Sequence, residues 1–405
     1  MSAKLTKFRH AFLYLLIFAL IYFSKDTLLF DTNSNNRFAK FGHIVLLLIV
    51  LVLFVLTVIN YKNLNKRVLI TTSLLVGVLI INTLVLRDFE GGIIIKLCLI
   101  CAAAAIVNLF DLKTVFRCYS KILLVLSIVS LIPFIIHYIN SNFFSFLPTV
   151  KNVSNISFHC GGLFNLVLID RQQIRNYGIF REPNIFGFFI VLALIYEVVM
   201  KEKPSIRVCF VFIITIISTL STMGFISLAI LFIVFLLNGK KKFGAKMFYF
   251  LIPIVIACAM LFSAIIIKFF VNGQKIISLQ TRLSSILANL KVFKDNILFG
   301  TGIKNYTEAF VLALQGLNSD GGNTPTLLIN FAMHGFVFGV LCLSSIIGFS
   351  FKVSKSVLVN ILVIILLVIN LLMSSIIYNF MFYFVVMAGL EHLAMTIENS
   401  IKKKV

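Results

Sequence analysis

Acidic residues and tryptophan are scarce in this 405-residue chain. It has 14 Asp and Glu against 36 Lys and Arg, it has no Trp, and charged residues of both signs make up 12% of the sequence. Hydrophobic residues make up 60%, and the mean hydropathy is +1.07. So small a polar share excludes a soluble globular domain, and the apolar runs are long enough to span a bilayer.

Cysteine is also sparse and scattered. The seven cysteines include one Cys-x-x-Cys pair, Cys98 and Cys101, which lies inside a predicted membrane helix with no second pair to complete a metal site. We therefore expect no metal, no redox centre and no cofactor. The formal charge of +22 does not predict a nucleic-acid partner either, because cations in a membrane protein mark its cytoplasmic loops.

The long apolar runs predict the membrane spans. Two runs, 208–238 and 357–394, are flanked by basic residues at both ends, so both ends belong in the cytoplasm and each run crosses twice. Polar breaks at 218–224 and at Ser374 and Ser375 supply the turns. The runs that each fit one crossing are 11–23, 43–60, 68–86, 93–110, 122–140, 184–200, 247–270 and 326–350.

The sequence therefore predicts an all-α polytopic membrane protein with about 12 transmembrane helices. We expect one multi-pass domain over residues 1–405, with both termini in the cytoplasm. The predicted cytoplasmic segments contain 21 Lys and Arg and 3 acids, whereas the outer segments contain 13 and 9. We expect four ionisable residues near helix ends to snorkel to the interface: Lys96, Glu197, Lys268 and Glu391.

Two predicted outer loops, 141–183 and 271–325, are much longer than the other connections, and loops of this length are usually functional or separately folded. The first ends in Arg175-Asn176-Tyr177-Gly178-Ile179-Phe180-Arg181-Glu182-Pro183-Asn184, which we call the 175–184 segment. Pro183 suits the first turn of a helix, whose positive N-terminus binds phosphate-like anions. The two arginines add forked donors for phosphate oxygens.

The 175–184 segment thus predicts a diphosphate site at the outer surface of the bilayer. The alternative is that Arg175 and Arg181 pair with lipid headgroups or with Glu182. The second long loop contains an amphipathic stretch that begins at Arg282 and is typical of a helix lying in the membrane interface. Its apolar residues at helical spacing are Leu283, Ile286, Leu287, Leu290 and Phe293.

The amphipathic stretch is followed by Phe299-Gly300-Thr301-Gly302, a turn that allows close backbone approach. Such a turn is either a simple connection or a phosphate cradle. The tenth predicted span contains His334, which is either a core histidine with a satisfied hydrogen bond or a catalytic residue.

These elements, in this order, resemble the O-antigen polymerase (Wzy) and O-antigen ligase superfamily of bacterial membrane glycosyltransferases. The 175–184 segment is similar to the family signature Arg-x-x-Gly-x-Phe-x-x-Pro-Asn, and residues 217–224 to its Ser/Thr-rich break between two short helices. Residues 282–302 resemble its arginine, amphipathic helix and Phe-Gly-x-Gly segment. Residues 323–339 resemble its Asn-containing loop and glycine-bearing helix, so the resemblance covers roughly 175–340.

The resemblance implies a GT-C-like fold in the bacterial inner (cytoplasmic) membrane and glycosyl transfer on its outer side. The donor would be an undecaprenyl-diphosphate-linked oligosaccharide, and the acceptor would be a sugar hydroxyl of another lipid-linked repeat unit. Arg175, Arg181 and Arg282 would stabilise charge on the departing diphosphate. Glu182 and His334 are alternative general bases. Besides the bilayer, a chain-length regulator is an expected partner.

Within the superfamily, the ligase branch typically has a His-Asn pair in its second large outer loop. Here Gly322 precedes Asn323, and residues 271–325 contain no histidine. This departure favours a polymerase and leaves the general base open. A flippase for lipid-linked repeats is an alternative from another class, but the polar groups gather in the outer loops, which favours catalysis at the outer surface.

Overall fold

The computed structural model describes residues 3–30, 38–59, 64–152, 156–168, 174–239, 274–317, 322 and 325–403. The predicted span 247–270, with Lys268, lies outside the described residues, as does Asn323. The α-helices, in chain order, are α1 (Ala3–Tyr22), α2 (Phe38–Ile59), α3 (Lys66–Leu86), α4 (Gly91–Leu109), α5 (Leu112–Ile139), α6 (Pro183–Ile195), α7 (Ile206–Ser218), α8 (Thr222–Gly239), α9 (Gln274–Asp295), α10 (Gly302–Gln315), α11 (Thr326–Val353), α12 (Val357–Met373) and α13 (Phe380–Lys402).

The described helices confirm an all-α polytopic membrane protein. Seven of them are long and apolar enough to cross a bilayer, namely α2 to α5, α6 with the turn that follows it, α11 and α13. Apolar stretches of 10–17 residues lie in α1, α7, α8 and α12. The total of about 12 crossings stays a prediction, because residues 240–273 are outside the described part of the chain.

Both predicted breaks between paired helices are confirmed. Helix α7 has 13 residues and ends at Ser218, and α8 begins at Thr222. Between them Leu220 adopts a left-handed conformation with φ +48°, which reverses the chain tightly. The second break separates the end of α12 at Met373 from the start of α13 at Phe380.

The chain forms two compact units. The first unit comprises Met1–Leu53, Phe110–Ala245 and Tyr378–Phe380. The second unit comprises Phe54–Leu109, Lys246–Ile377 and Met381–Val405.

Helix α6 is the buried helix of the first unit. It continues into a π-helical turn, Tyr196–Met200, and of residues 183–200 only Asn184 is not fully buried. A helix that is apolar on every side is stable only when other elements surround it. Helices α5, α7 and α8 pack against it, and the hydroxyl of Tyr119 in α5 donates a hydrogen bond to the carbonyl of Phe189 at 2.7 Å. The N-terminus of α6 therefore has a fixed position in the unit.

The first long loop contains a small antiparallel sheet that the apolar pattern does not predict. Its strands are β1 (Thr149–Lys151), β2 (Ser157–Cys160) and β3 (Asn165–Val167), in the order β1-β2-β3. Thr149 pairs with His159, and Phe158 pairs with Val167. A cluster of buried side chains, Leu28, Phe158, Val167 and Tyr177, joins this sheet to the 175–184 segment.

The second long loop contributes α9 and α10 to the second unit. The predicted amphipathic helix forms, and its buried face carries Ser285, Ala288, Asn289 and Val292. Asn289 accepts a hydrogen bond from the hydroxyl of Tyr306 in α10 at 2.6 Å. On the opposite face, Leu283, Leu287 and Leu290 are exposed, which is the stripe that a helix in the membrane interface needs.

Candidate functional site

Arg175 binds the break between α7 and α8. Its Nε donates to the carbonyl of Thr219 at 2.9 Å, and its Nη2 donates to the carbonyl of Leu220 at 3.2 Å. The last carbonyls of a helix have no partner within the helix, and the left-handed turn at Leu220 leaves further carbonyls to be satisfied. The forked guanidinium satisfies two of them at once, so Arg175 holds the helix break.

Asn176 fastens the same break with its side chain and backbone. It is 2% exposed, and its Nδ2 donates to Oγ of Ser218 at 3.0 Å and to Oγ of Ser130 at 3.2 Å. Its backbone N–H donates to the carbonyl of Ser218 at 3.0 Å, and its Oδ1 accepts from the N–H of Gly178 at 3.0 Å. The sequence alone did not predict a role for Asn176. Its position between Arg175 and the turn at Gly178 was the only feature that pointed to one.

Position 178 strongly favours glycine. Its φ is +54°, and a Cβ atom there would lie 2.8 Å from the ring of Phe186 in the first turns of α6. A left-handed φ disfavours other residues, and the Phe186 ring would have to shift to admit a side chain. Further along, Oγ of Ser221 donates to Oδ1 of Asn184. The 175–184 segment is therefore fixed to the break at both of its ends.

Arg181 pairs with Asp26. Its Nη2 lies 3.6 Å from Oδ1 of Asp26, and its backbone N–H donates to the Asp26 carbonyl at 2.9 Å. The Arg181 side chain is 17% exposed, whereas Asp26 is 2% exposed. The sequence suggested Glu182 as the ion-pair partner, but the ion pair that the structure shows for Arg181 is with Asp26. Sequence reasoning missed Asp26, which follows α1 and carries no motif.

Glu182 occupies the N-cap position of α6 in an extended conformation, and its side chain makes no capping hydrogen bond. Its side chain is half-buried, and Pro183 follows as the first helical residue. Burial raises the pKa of the nearby Tyr177 hydroxyl, Arg175 opposes that increase and Glu182 adds to it. The Glu182 carboxylate therefore shares the electrostatic environment of the segment and does not cap the helix.

Arg282, in the second unit, binds the other helix break. Its Nη1 donates to the carbonyl of Met373, the last residue of α12, at 3.3 Å. Thr326, at the start of α11, binds the same break, because its Oγ1 donates to the Ser374 carbonyl and accepts from the N–H of Ile376 at 2.9 Å. Arg175 and Arg282 therefore have the same role at two different breaks, because each donates to backbone carbonyls where a helix ends.

The Phe299–Gly302 turn joins α9 and α10 to α11. The N–H of Thr301 donates to the carbonyl of Ala332 at 2.9 Å, and a Cβ at Gly300, whose φ is +71°, would lie 2.6 Å from the backbone nitrogen of His334. The carboxylate of Asp88 accepts the N–H groups of Ile303 and Lys304 at the start of α10. A protein carboxylate therefore occupies this helix N-terminus, which favours a structural turn over a phosphate cradle.

His334 lies inside the second unit beside Lys96. Its Nε2 is 2.6 Å from Nζ of Lys96, and the two residues are 3% and 0% exposed. Asn82 donates to the carbonyl of His334 at 2.6 Å, and α11 kinks at the next residue, Gly335, with φ 76°. The expectation that Lys96 snorkels to the interface is wrong, because its ammonium group points to the imidazole.

The other described ionisable residues expected to snorkel are also paired. Glu197 accepts from Lys201 at 2.7 Å, and Glu391 accepts from Lys352 at 2.6 Å. Of the predicted site residues, Arg175, Arg181 and Glu182 lie in the first unit, and Arg282 and His334 lie in the second.

Comparison with known proteins gives one family match. Residues 208–325, from the start of α7 to the end of the second long loop, match the family model described as O-antigen ligase. No curated protein matches the chain. The matched segment includes the first helix break and Arg282, both of which the resemblance had singled out. This match supports a relationship between the chain and the O-antigen polymerase and ligase superfamily of membrane enzymes.

Proposed function

We propose that this protein is a polysaccharide repeat-unit polymerase of the O-antigen or capsule type. It transfers a glycan from undecaprenyl diphosphate to a sugar hydroxyl of another lipid-linked repeat unit, on the outer side of the bacterial cytoplasmic membrane. The observation that carries the proposal is the position of Arg181 beside the N-terminus of α6, where a cation and a helix dipole act together. Both favour a diphosphate.

In the proposed reaction the acceptor hydroxyl oxygen attacks the anomeric carbon of the donor glycan. The bond between that carbon and the diphosphate oxygen breaks, and undecaprenyl diphosphate leaves. Arg181 is the first candidate to stabilise the negative charge that develops on this leaving group. Arg175 is a further candidate, although it also donates to the carbonyls of a helix break. Arg282, which the sequence also suggests, lies in the second unit.

The acceptor hydroxyl must lose a proton to a base. Glu182 is half-buried and makes no capping hydrogen bond, so an acceptor sugar can reach its carboxylate more readily than it can reach His334. His334 is 3% exposed and its Nε2 lies against Lys96. We therefore assign the base to Glu182 rather than to His334.

A ligase is the second candidate function, because the family model that matches residues 208–325 is described as O-antigen ligase. A ligase moves a finished glycan to a different carrier, whereas a polymerase moves it to another lipid-linked repeat. The sequence of the second long loop favours the polymerase, since Gly322 precedes Asn323 where the ligase branch has His-Asn.

The test is to incubate the purified, reconstituted protein with lipid-linked single repeat units and to separate the products by length. A ladder of lengths supports the polymerase. A single transfer, seen only when a second carrier is added, supports the ligase, and no reaction with either acceptor overturns both. Arg181→Ala should slow formation of the ladder by about 10²–10³-fold, while Arg67→Ala, which alters a half-exposed ion pair with Glu398, should leave it intact.

A further inference from the structure

Asp26 is a buried carboxylate that lies just after α1 in the first unit. It is 2% exposed and is held by residues from two distant parts of the chain. Nδ2 of Asn379 donates to its Oδ2 at 2.7 Å, and Nη2 of Arg181 lies 3.6 Å from its Oδ1. Burying a carboxylate costs free energy unless it is paired and hydrogen-bonded. Asp26 therefore depends on Asn379 and Arg181 to remain buried.

The backbone fixes the register of the pair. Thr27 forms an antiparallel bridge with Phe180, the N–H of Leu28 donates to the carbonyl of Ile179 at 3.0 Å, and the N–H of Arg181 donates to the carbonyl of Asp26 at 2.9 Å. The hydroxyl of Thr27 donates to two carbonyls at the end of α1, at 2.9 and 2.8 Å. These backbone contacts therefore hold Asp26 opposite Arg181.

We infer that Asp26 is a positioning residue that orients the guanidinium of Arg181 toward the departing diphosphate. This role rests on the proposed function. Arginine has a long and flexible side chain, and a donor stabilises a transition state best when it is already oriented. Asp26 lies on the buried side of the pair, whereas Arg181 retains some exposure and can meet a ligand from the other side.

The charge of Asp26 gives the role a distinctive kinetic signature. Asp26→Asn removes a negative charge close to the site while keeping the shape of the side chain. Binding of an anionic donor should tighten severalfold, because the carboxylate of Asp26 no longer competes with the donor for the guanidinium of Arg181. Turnover should fall, because the guanidinium is no longer held. We expect kcat to decrease by about tenfold and KM to decrease rather than increase. A residue with only a structural role would lower the yield of folded protein and would not split the two constants in this way.

The experiment measures kcat and KM for polymerisation of lipid-linked repeats, and the affinity for undecaprenyl diphosphate alone. The variants are Asp26→Asn, Asp26→Glu, Arg181→Ala and the double variant Asp26→Asn with Arg181→Ala. Asp111→Asn is the matched control, because Asp111 lies in the same unit and caps α5 by accepting from Thr114 at 2.9 Å, a role that Asn also fills.

We expect Asp26→Glu to recover part of kcat and Asp26→Asn to have no further effect on kcat in the Arg181→Ala background. The inference is overturned if Asp26→Asn behaves like Asp111→Asn, or if its effect is the same with and without Arg181. If the wild-type protein forms no polymer, the proposed polymerase function fails and the affinity measurement decides the rest. Tighter binding of undecaprenyl diphosphate by Asp26→Asn only when Arg181 is present would retain the pair as a diphosphate site, and any other result would overturn it as well.

Discussion

Nζ of Lys96 lies 2.6 Å from Nε2 of His334, with both side chains buried among the helices of the second unit. Two nitrogens at this distance share one proton between them, so one must offer a lone pair. We expect the ammonium group of Lys96 to donate and the neutral imidazole to accept at Nε2. The pair joins α4 to α11 one residue before the kink at Gly335. The pair therefore places the buried Lys96 side chain next to the kink in α11.

Removing the two partners should have unequal effects on stability. His334→Leu leaves the buried ammonium without its imidazole and should cost about 3–5 kcal/mol. Lys96→Met leaves a neutral ring nitrogen without its donor and should cost about 1–3 kcal/mol. The double variant should be more stable than the sum of the single changes predicts, because no charge is left behind. The measurement is the fraction of detergent-solubilised protein that stays monodisperse after heating. Additive losses would contradict the coupling.

Arg175→Lys should lose most of the polymerising activity while the protein remains in the membrane. Lysine has a single charged nitrogen and cannot replace the fork that contacts the carbonyls of Thr219 and Leu220. Arg282→Lys should be milder, because a single lysine nitrogen can still donate to the Met373 carbonyl.

The readout is the length distribution of surface glycan at matched expression. Arg207→Lys, an exposed substitution at the start of α7, is the control. Normal long chains in cells with Arg175→Lys would show that the fork is not needed.

Gly300→Ala should destabilise the second unit by at least about 2 kcal/mol, because a left-handed φ is unfavourable for alanine and the new Cβ meets backbone that cannot move aside. Gly77→Ala is the control. No atom lies within 4 Å of a Cβ at that position in α3, and alanine favours a helix by up to about 1 kcal/mol. Thermal stability in detergent compares the two, and equal midpoints would refute the role of the turn.

Reporter fusions test the predicted sidedness. Fusions at residues 160 and 310 should report the outer side, and a fusion at residue 243, which lies outside the described residues, should report the cytoplasm. The basic residues flanking 208–238 are the physical reason for the last expectation. An outer location for residue 243 would mean that this stretch does not cross the membrane twice.

The fold was predictable wherever one-dimensional polarity decides it. Long apolar runs must become helices in a bilayer, and the polar residues from Ser218 to Thr222 could only interrupt a helix pair. The amphipathic pattern also predicted α9, with Leu283, Leu287 and Leu290 on its exposed stripe. The small sheet in the first long loop was not predictable in this way, because its strands have three or four residues and little alternation.

The candidate site was predictable in its composition but not in its pairings. The 175–184 segment is recognisable in the sequence by its charged residues. Asp26 has no such local feature, because only the folded chain brings it next to Arg181. The prediction for Lys96 was wrong for the same reason. Its position near a helix end predicts snorkelling, and only the packing of α11 brings His334 to it. Contacts between distant segments depend on tertiary structure, which a hydropathy pattern does not contain.

The length of α7 has a consequence for the lipid around the protein. Its 13 residues span roughly 20 Å, against a hydrocarbon core of about 30 Å. We predict that α7 crosses the membrane, and a crossing helix this short requires the bilayer to thin locally or the helix end to lie below the headgroups. Unwound backbone at that depth is tolerated only where protein or water covers it, and the guanidinium of Arg175 does so here. Bilayer thickness should therefore act directly on the helix break that Arg175 holds.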